Sequence, residues 1–269
     1  MKIAYLDCFA GISGDMFLGA IVDLGVSVED LREELTQLGL TGFELSARQV
    51  SRRGISGTKV DVKVTEDQPH RHLKDILAIL ENSGLEESIK QDAKNIFKLL
   101  AVAEGKIHGC SPENIHFHEV GAVDAIVDIV GTLIGVKKLQ LQKIYCSPLN
   151  VGRGTVQCAH GVMPVPAPAT TEILKDVPIY TAGPAVELVT PTGAVLVKYL
   201  AKGFGPMPAM TLQSVGYGAG DRETEIPNLL RILVGEGEQL PFAYQAWQTE
   251  RLESQHGHRH HQRHNHRHQ

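Results

Sequence analysis

The sequence predicts an α/β fold, with α+β as the alternative: two lobes of mixed sheet and helix, then a disordered histidine-rich C-terminal tail. Three observations carry that expectation. Strand and helix periodicities alternate along the first half of the chain. The chain opens on a strand, a glycine-rich loop and a helix. From residue 241 onward apolar periodicity is lost altogether. The expected lobes are residues 1–70 and 71–240, with the tail at 241–269.

Each element follows from local pattern. Residues 2–7 form an apolar run with the length of a buried strand, and residues 8–15 carry Gly11, Ser13 and Gly14 in a loop. Residues 16–24 are an apolar helix that Ser13 or Asp15 can cap, and Leu31, Leu35 and Leu38 set a second helix over 28–38. Residues 43–50 and 58–65 read as an antiparallel pair joined through Arg52-Arg53-Gly54, with Val60, Val62 and Val64 alternating with Asp61 and Lys63. Helical spacing recurs over 73–82, 86–107 and 123–139, with a short extended piece at 116–118. Beyond Lys143 short strands and Gly/Pro loops dominate, with helices near 167–175 and 193–201 and closing strands at 211–218 and 228–236.

Composition narrows the function classes. With 42% hydrophobic and 21% charged residues the chain is in the ordinary globular range. No apolar run approaches the roughly 18 residues of a membrane helix, and the N-terminus has no signal-peptide apolar stretch. A cytoplasmic protein without membrane contact is expected. Of 26 Lys and Arg, three (Arg259, Arg263, Arg267) lie in the acid-free segment 256–269, and all 31 acids precede it. The body is therefore distinctly acidic, which argues against nucleic acid as a partner and suits cation binding. Cys8, Cys110, Cys146 and Cys158 form no Cys-x-x-Cys pair, so buried free thiols are expected rather than a disulfide frame or zinc ribbon.

The densest chemistry lies in His116-Phe117-His118-Glu119 and the following Asp124 and Asp128. In an extended segment His116 and His118 share a side, with Phe117 opposite. Asp124 and Asp128 stand four apart on one helix face. Imidazoles and carboxylates together suit a borderline divalent metal such as nickel, zinc, iron or copper. Acids in a first helical turn also favour the dipole, but these two sit in an apolar run, where a buried carboxylate needs a partner.

A second candidate is the loop Asp7 to Met16, where Asp7 ends the strand and Asp15 opens the helix, with Gly11, Ser13 and Gly14 between them. It lacks the Gly-Lys-Ser/Thr of a phosphate-binding Walker loop. Two acids favour metal coordination over bare phosphate. Arg153 between two glycines, His160 beside Gly161, and Thr190 ahead of Pro191 are candidate ligand contacts, against solvated, structural and capping roles respectively. The tail, with seven of the 13 histidines, can store or deliver divalent metal.

Taken in order, the loop at 7–16, the run from His116 to Asp128, the stretch 154–170, the segment 187–195 and Gly216 to Asp221 with Pro227-Asn228 resemble the LarC family of nickel-inserting proteins. The resemblance covers residues 1 to about 235. It implies nickel insertion into a pyridinium-3,5-bisthiocarboxylate mononucleotide, forming one nickel–carbon and two nickel–sulfur bonds in the cofactor of lactate racemase. It also implies consumption of CTP, with Mg or Mn, by a C-terminal domain beyond this sequence. His116, His118 and Asp124 or Asp128 are then the expected nickel ligands, with Asp7 a further metal candidate and Glu119 or Asp15 the base that takes the ring proton. A C-terminal partner half and homo-oligomerisation are expected. Two other readings stay open: a metallochaperone half that delivers nickel to a separate CTP-binding domain, and a metal-dependent phosphohydrolase.

Overall fold

The computed structural model describes residues 1–68, 71–115, 117, 122–158 and 160–237. His116, His118 and Glu119, and the expected tail, lie outside the described residues. The elements in order are β1 (Lys2–Asp7), α1 (Gly14–Asp23), α2 (Val28–Thr36), β2 (Phe43–Arg52), β3 (Ile55–Val64), α3 (Leu73–Asn82), α4 (Glu87–His108), α5 (Val123–Lys138) and β4 (Lys143–Cys146). They continue with β5 (Leu149–Asn150), β6 (Thr155–Cys158), β7 (Gly161–Pro164), α6 (Pro168–Ile173), β8 (Ile179–Tyr180), α7 (Pro191–Leu200), β9 (Ala201–Phe204), β10 (Met210–Ala219) and β11 (Leu229–Gly237). The α/β expectation holds, as a large mixed sheet with helices packed on it.

That sheet has seven strands in the order β2-β3-β10-β11-β1-β4-β9. β1 pairs antiparallel with β11 and parallel with β4, so its Ile3, Ala4 and Leu6 are sealed in the core. β2 and β3 form the expected hairpin, and the turn at Arg53 (φ 50°) and Gly54 (φ 84°) has the two positive φ values that match strand twist. β3 then pairs parallel with β10 at Thr58 and Gly218. The last two strands of the described chain thus fill the gap between β3 and β1.

α1 and α5 are apolar nearly all round and are buried against each other and the sheet, as helices of that pattern must be. α1 approaches the sheet at backbone distance because three glycines line the seam. A Cβ at Gly218 would stand 1.7 Å from the Met16 carbonyl oxygen, one at Gly216 2.4 Å from that of Ala20, and one at Gly19 2.4 Å from that of Thr58. The far end of α1 is pinned by Asp23, which accepts from the Thr58 hydroxyl at 2.7 Å and the Tyr217 N–H at 2.8 Å. Seated this way, α1 sets its first turn against β3 and β10.

α1 begins at Gly14, two residues ahead of the expected start, with Ser13 in the capping position. Ser13 does not cap, because its hydroxyl donates to the Asp15 carboxylate instead. α2 is capped as residue type dictates: Ser27 Oγ accepts from the N–H groups of Glu29 and Asp30 at 3.1 and 3.3 Å. Ser27→Ala should cost about 1 kcal/mol in equilibrium denaturation.

The cysteines depart in part from expectation. Cys8 and Cys146 are buried, with Sγ atoms 3.6 Å apart at neighbouring strand ends, and burial pushes the Cys8 thiol up so that it stays protonated. Cys158 is half-buried and Cys110 is exposed, since it follows the C-terminal glycine of α4 rather than a core position.

Candidate functional site

A cleft of about 1060 Å³ opens where the first turns of α1, α5, α6 and α7 meet the polar face of the β2–β3 hairpin. Its floor is acidic. Asp15 comes from the first turn of α1, Asp124 and Asp128 from the first two turns of α5, and Asp221 from the loop after β10. The close approach of α1 to α5 and α7 depends on Gly14, where a Cβ would lie 2.5 Å from Asp128 Oδ2 and 2.8 Å from Thr192 Cγ2.

Asp128 is the unusual group. The residue as a whole is half-buried, but Oδ1 is shut off from solvent and has no hydrogen-bond partner. Burial pushes its carboxyl well above the usual range, and the charges of Asp15, Asp124 and Asp221 push further, while Lys59 pulls the other way. Burial among other carboxylates thus favours the protonated form of this group.

Lys59 supplies the balancing charge. Its side chain is only 3% exposed, and Nζ lies 2.6 Å from Asp15 Oδ2, 3.1 Å from Asp221 Oδ1 and 3.5 Å from Asp61 Oδ1. Burial alone would lower the Lys59 pKa, but Asp15 and Asp221 outweigh it and hold the ammonium above its ordinary value. Asp61 in turn accepts from Arg48 Nε at 3.1 Å.

The same cleft also carries imidazoles. His108 and His160 stand with ring centroids 4.8 Å apart, and His108 Nε2 lies 3.6 Å from Glu104 Oε2. Among the described residues, no three His, Cys, Asp or Glu side chains are gathered as a metal site on their own.

The sequence-derived candidates divide cleanly by position. Asp15, Ser13, Gly14, Asp124, Asp128, His160 and Thr190 line the one cleft. Thr190 also caps α7, its hydroxyl accepting from Gly193 N–H at 3.2 Å. Gly11, Arg153 and Asp7 are not in the lining. Gly11 (φ 81°) lets the loop lie against the Leu188 carbonyl, and Arg153 donates to the Gly183 carbonyl at 3.1 Å. Asp7 accepts from Arg231 Nε at 3.1 Å, its register partner on β11, instead of facing the crevice with Asp15. His116, His118 and Glu119 lie outside the described residues.

Two residues of the floor escape a sequence reading. Lys59 stands one residue before the alternation that the valines mark, and Asp221 falls in a glycine-rich segment that reads as a turn. A lysine in strand phase with Asp61 and Lys63 was the available signal, and it points equally to a solvated face.

The family described as nickel insertion protein matches residues 4–264. A pyridinium-3,5-bisthiocarboxylic acid mononucleotide nickel insertion protein of Desulfitobacterium hafniense is 52% identical over 236 residues, covering 88% of this chain and 59% of that protein. A putative nickel insertion protein of Citrifermentans bemidjiense is 52% identical over 238 residues, covering 88% and 62%. In Geobacillus kaustophilus a protein with the first of those names is 49% identical over 247 residues, covering 88% and 60%. The chain therefore spans about three-fifths of the length of the curated relatives it matches. No solved structure matches it.

Proposed function

Because the chain belongs to the nickel insertion protein family, we propose that it binds nickel and inserts it into pyridinium-3,5-bisthiocarboxylic acid mononucleotide, with the described cleft as the place of reaction. The supporting observation is Asp128, which lines a cleft of about 1060 Å³ and whose Oδ1 is closed to solvent and has no hydrogen-bond partner. That volume accommodates a mononucleotide. Asp128, Asp124 and the histidines His116 and His118 are the proposed nickel ligands. Carboxylate and imidazole donors hold a borderline ion well enough to collect it and loosely enough to surrender it to sulfur.

The insertion exchanges a ring carbon–hydrogen bond for a carbon–nickel bond, and the two thiocarboxylates of the substrate supply sulfur to the same metal. The released proton needs an acceptor. Glu119 or Asp15 is our assignment, Asp15 lying at the cleft floor 2.6 Å from Lys59 Nζ. CTP consumption and its Mg or Mn belong in this proposal to a C-terminal domain, and the product serves lactate racemase. Among the described residues no helix is long and apolar enough to cross a membrane.

A second reading is favoured by the chain's 59% coverage of its relative: this part loads nickel, and the reaction runs only when the remainder is present. The test is to incubate the chain with nickel, CTP and the metal-free mononucleotide, with and without the C-terminal part of a relative, and to follow the nickel adduct by mass. An adduct without the added part supports insertion by the chain, and one that requires it supports loading. If neither mixture forms adduct and the chain holds no nickel outside its tail, both readings fail.

A further inference from the structure

We propose that Lys59 is a tethered counter-ion that keeps hard divalent cations such as Mg²⁺ off the cleft floor, and so reserves the site for a softer ion. The identity of the admitted ion rests on the nickel reading above, whereas the exclusion is argued from the floor itself. Three carboxylates from three separate elements, Asp15 on α1, Asp61 on β3 and Asp221 after β10, converge on one point, and the Val60 carbonyl stands 2.8 Å from the same centre. Carboxylate and carbonyl oxygens are the donors that Mg²⁺, Mn²⁺ or Ca²⁺ take, and with the ammonium between them these do not form a metal site as they stand. The centre is occupied instead by the Lys59 ammonium, whose side chain is 3% exposed and which donates to Asp15 and to the Val60 carbonyl.

A dissolved cation can enter that point only by displacing a group covalently fixed in place. The displaced ammonium would then be left buried without a partner, a costly state. Asp128 differs: its Oδ1 has no partner in the protein and is not consumed by the lysine. The counter-ion thus divides the acids into a neutralised group and an available one. The available group offers too few oxygens for a hard ion and depends on nitrogen or sulfur donors to complete a coordination shell. Arg48, which pairs with Asp61 at 3.1 Å, reinforces the neutralised side from β2.

The experiment is a Mn²⁺ titration of the full chain, read by the electron paramagnetic resonance of the free ion, on wild type, Lys59→Arg and Lys59→Met. Tail histidines contribute equally to all three. Lys59→Met should gain one Mn²⁺ equivalent, bound at least about tenfold more tightly than anything in wild type and displaced by Mg²⁺. Lys59→Arg should gain none. A folded Lys59→Met protein that binds Mn²⁺ no better than wild type overturns the proposal. Should that variant fold poorly, wild type still decides: Mg²⁺ that raises its melting temperature or displaces its nickel also overturns the proposal. Failure of the nickel reading shows separately, as absence of core nickel in every variant while the Mn²⁺ gain persists.

Discussion

Asp128→Asn should abolish nickel binding outside the tail and, at the same time, raise the stability of the metal-free chain at neutral pH. Changes to groups that merely support a metal ligand cost about 10- to 100-fold in affinity, so losing a ligand oxygen should cost at least about 100-fold. The stability arm follows from the raised Asp128 carboxyl. In the unfolded chain that group titrates near about 3.9. Folding lifts it, so between the two values the folded state binds the extra proton. Stability then falls as pH rises from the unfolded value and levels off only above the folded one. Asparagine removes this slope. Thermal melts of both proteins in chelator across the acid-to-neutral range should therefore diverge as pH rises, with the variant melting higher. Equal melting at every pH, or core nickel retained by the variant, would sink the assignment.

Gly218→Ala should destabilise the fold by about 3 kcal/mol or more, because overpacking at a backbone contact cannot relax through a side chain. The added methyl would stand 1.7 Å from the Met16 carbonyl oxygen and 2.5 Å from Ala20 N, so α1 would have to leave its seat. Gly203→Ala on β9 is the matched control. Its nearest neighbours lie at 3.6 and 3.8 Å, an ordinary contact distance, and it should change stability by less than about 1 kcal/mol. The readout is the midpoint of urea denaturation at unchanged slope. Because α1 packs against α5, which carries Asp124 and Asp128, the Gly218 variant should also lose nickel under conditions where it remains folded.

Local pattern sufficed wherever one residue's neighbours along the chain decide its environment. Leu31, Leu35 and the apolar run from Val123 mark their helices because the same side chains that repeat in sequence are those that are buried. The Arg53-Gly54 turn is likewise legible, since the backbone it needs restricts which residues fit. Asp124 and Asp128 announce themselves as acids in an apolar stretch. Lys59 and Asp221 do not, because their meeting depends on β3 lying beside β10, a pairing of Thr58 with Gly218 that no local period encodes. Asp7 misleads for the same reason. Its place at a strand end suggests the crevice, and only the register of β1 with β11 shows that Arg231 stands opposite it. Gly216 and Gly218 fall in a segment that reads as strand, but nothing along the chain shows that they are left bare so that a helix can lie against them.

The central place of β10 and β11 in the sheet has a consequence for the order in which the protein is made. These strands are the last described elements of the chain, yet they join the β2–β3 hairpin to β1. During synthesis, α1, β3 and α5, which carry Asp15, Lys59 and Asp128 and pack on one another, leave the ribosome first, and Asp221 follows long after them. The ion pair of Lys59 with Asp221, and with it the complete floor, needs β10 to have emerged and paired with β3. A growing chain thus holds the floor without its last acid until β10 is in place.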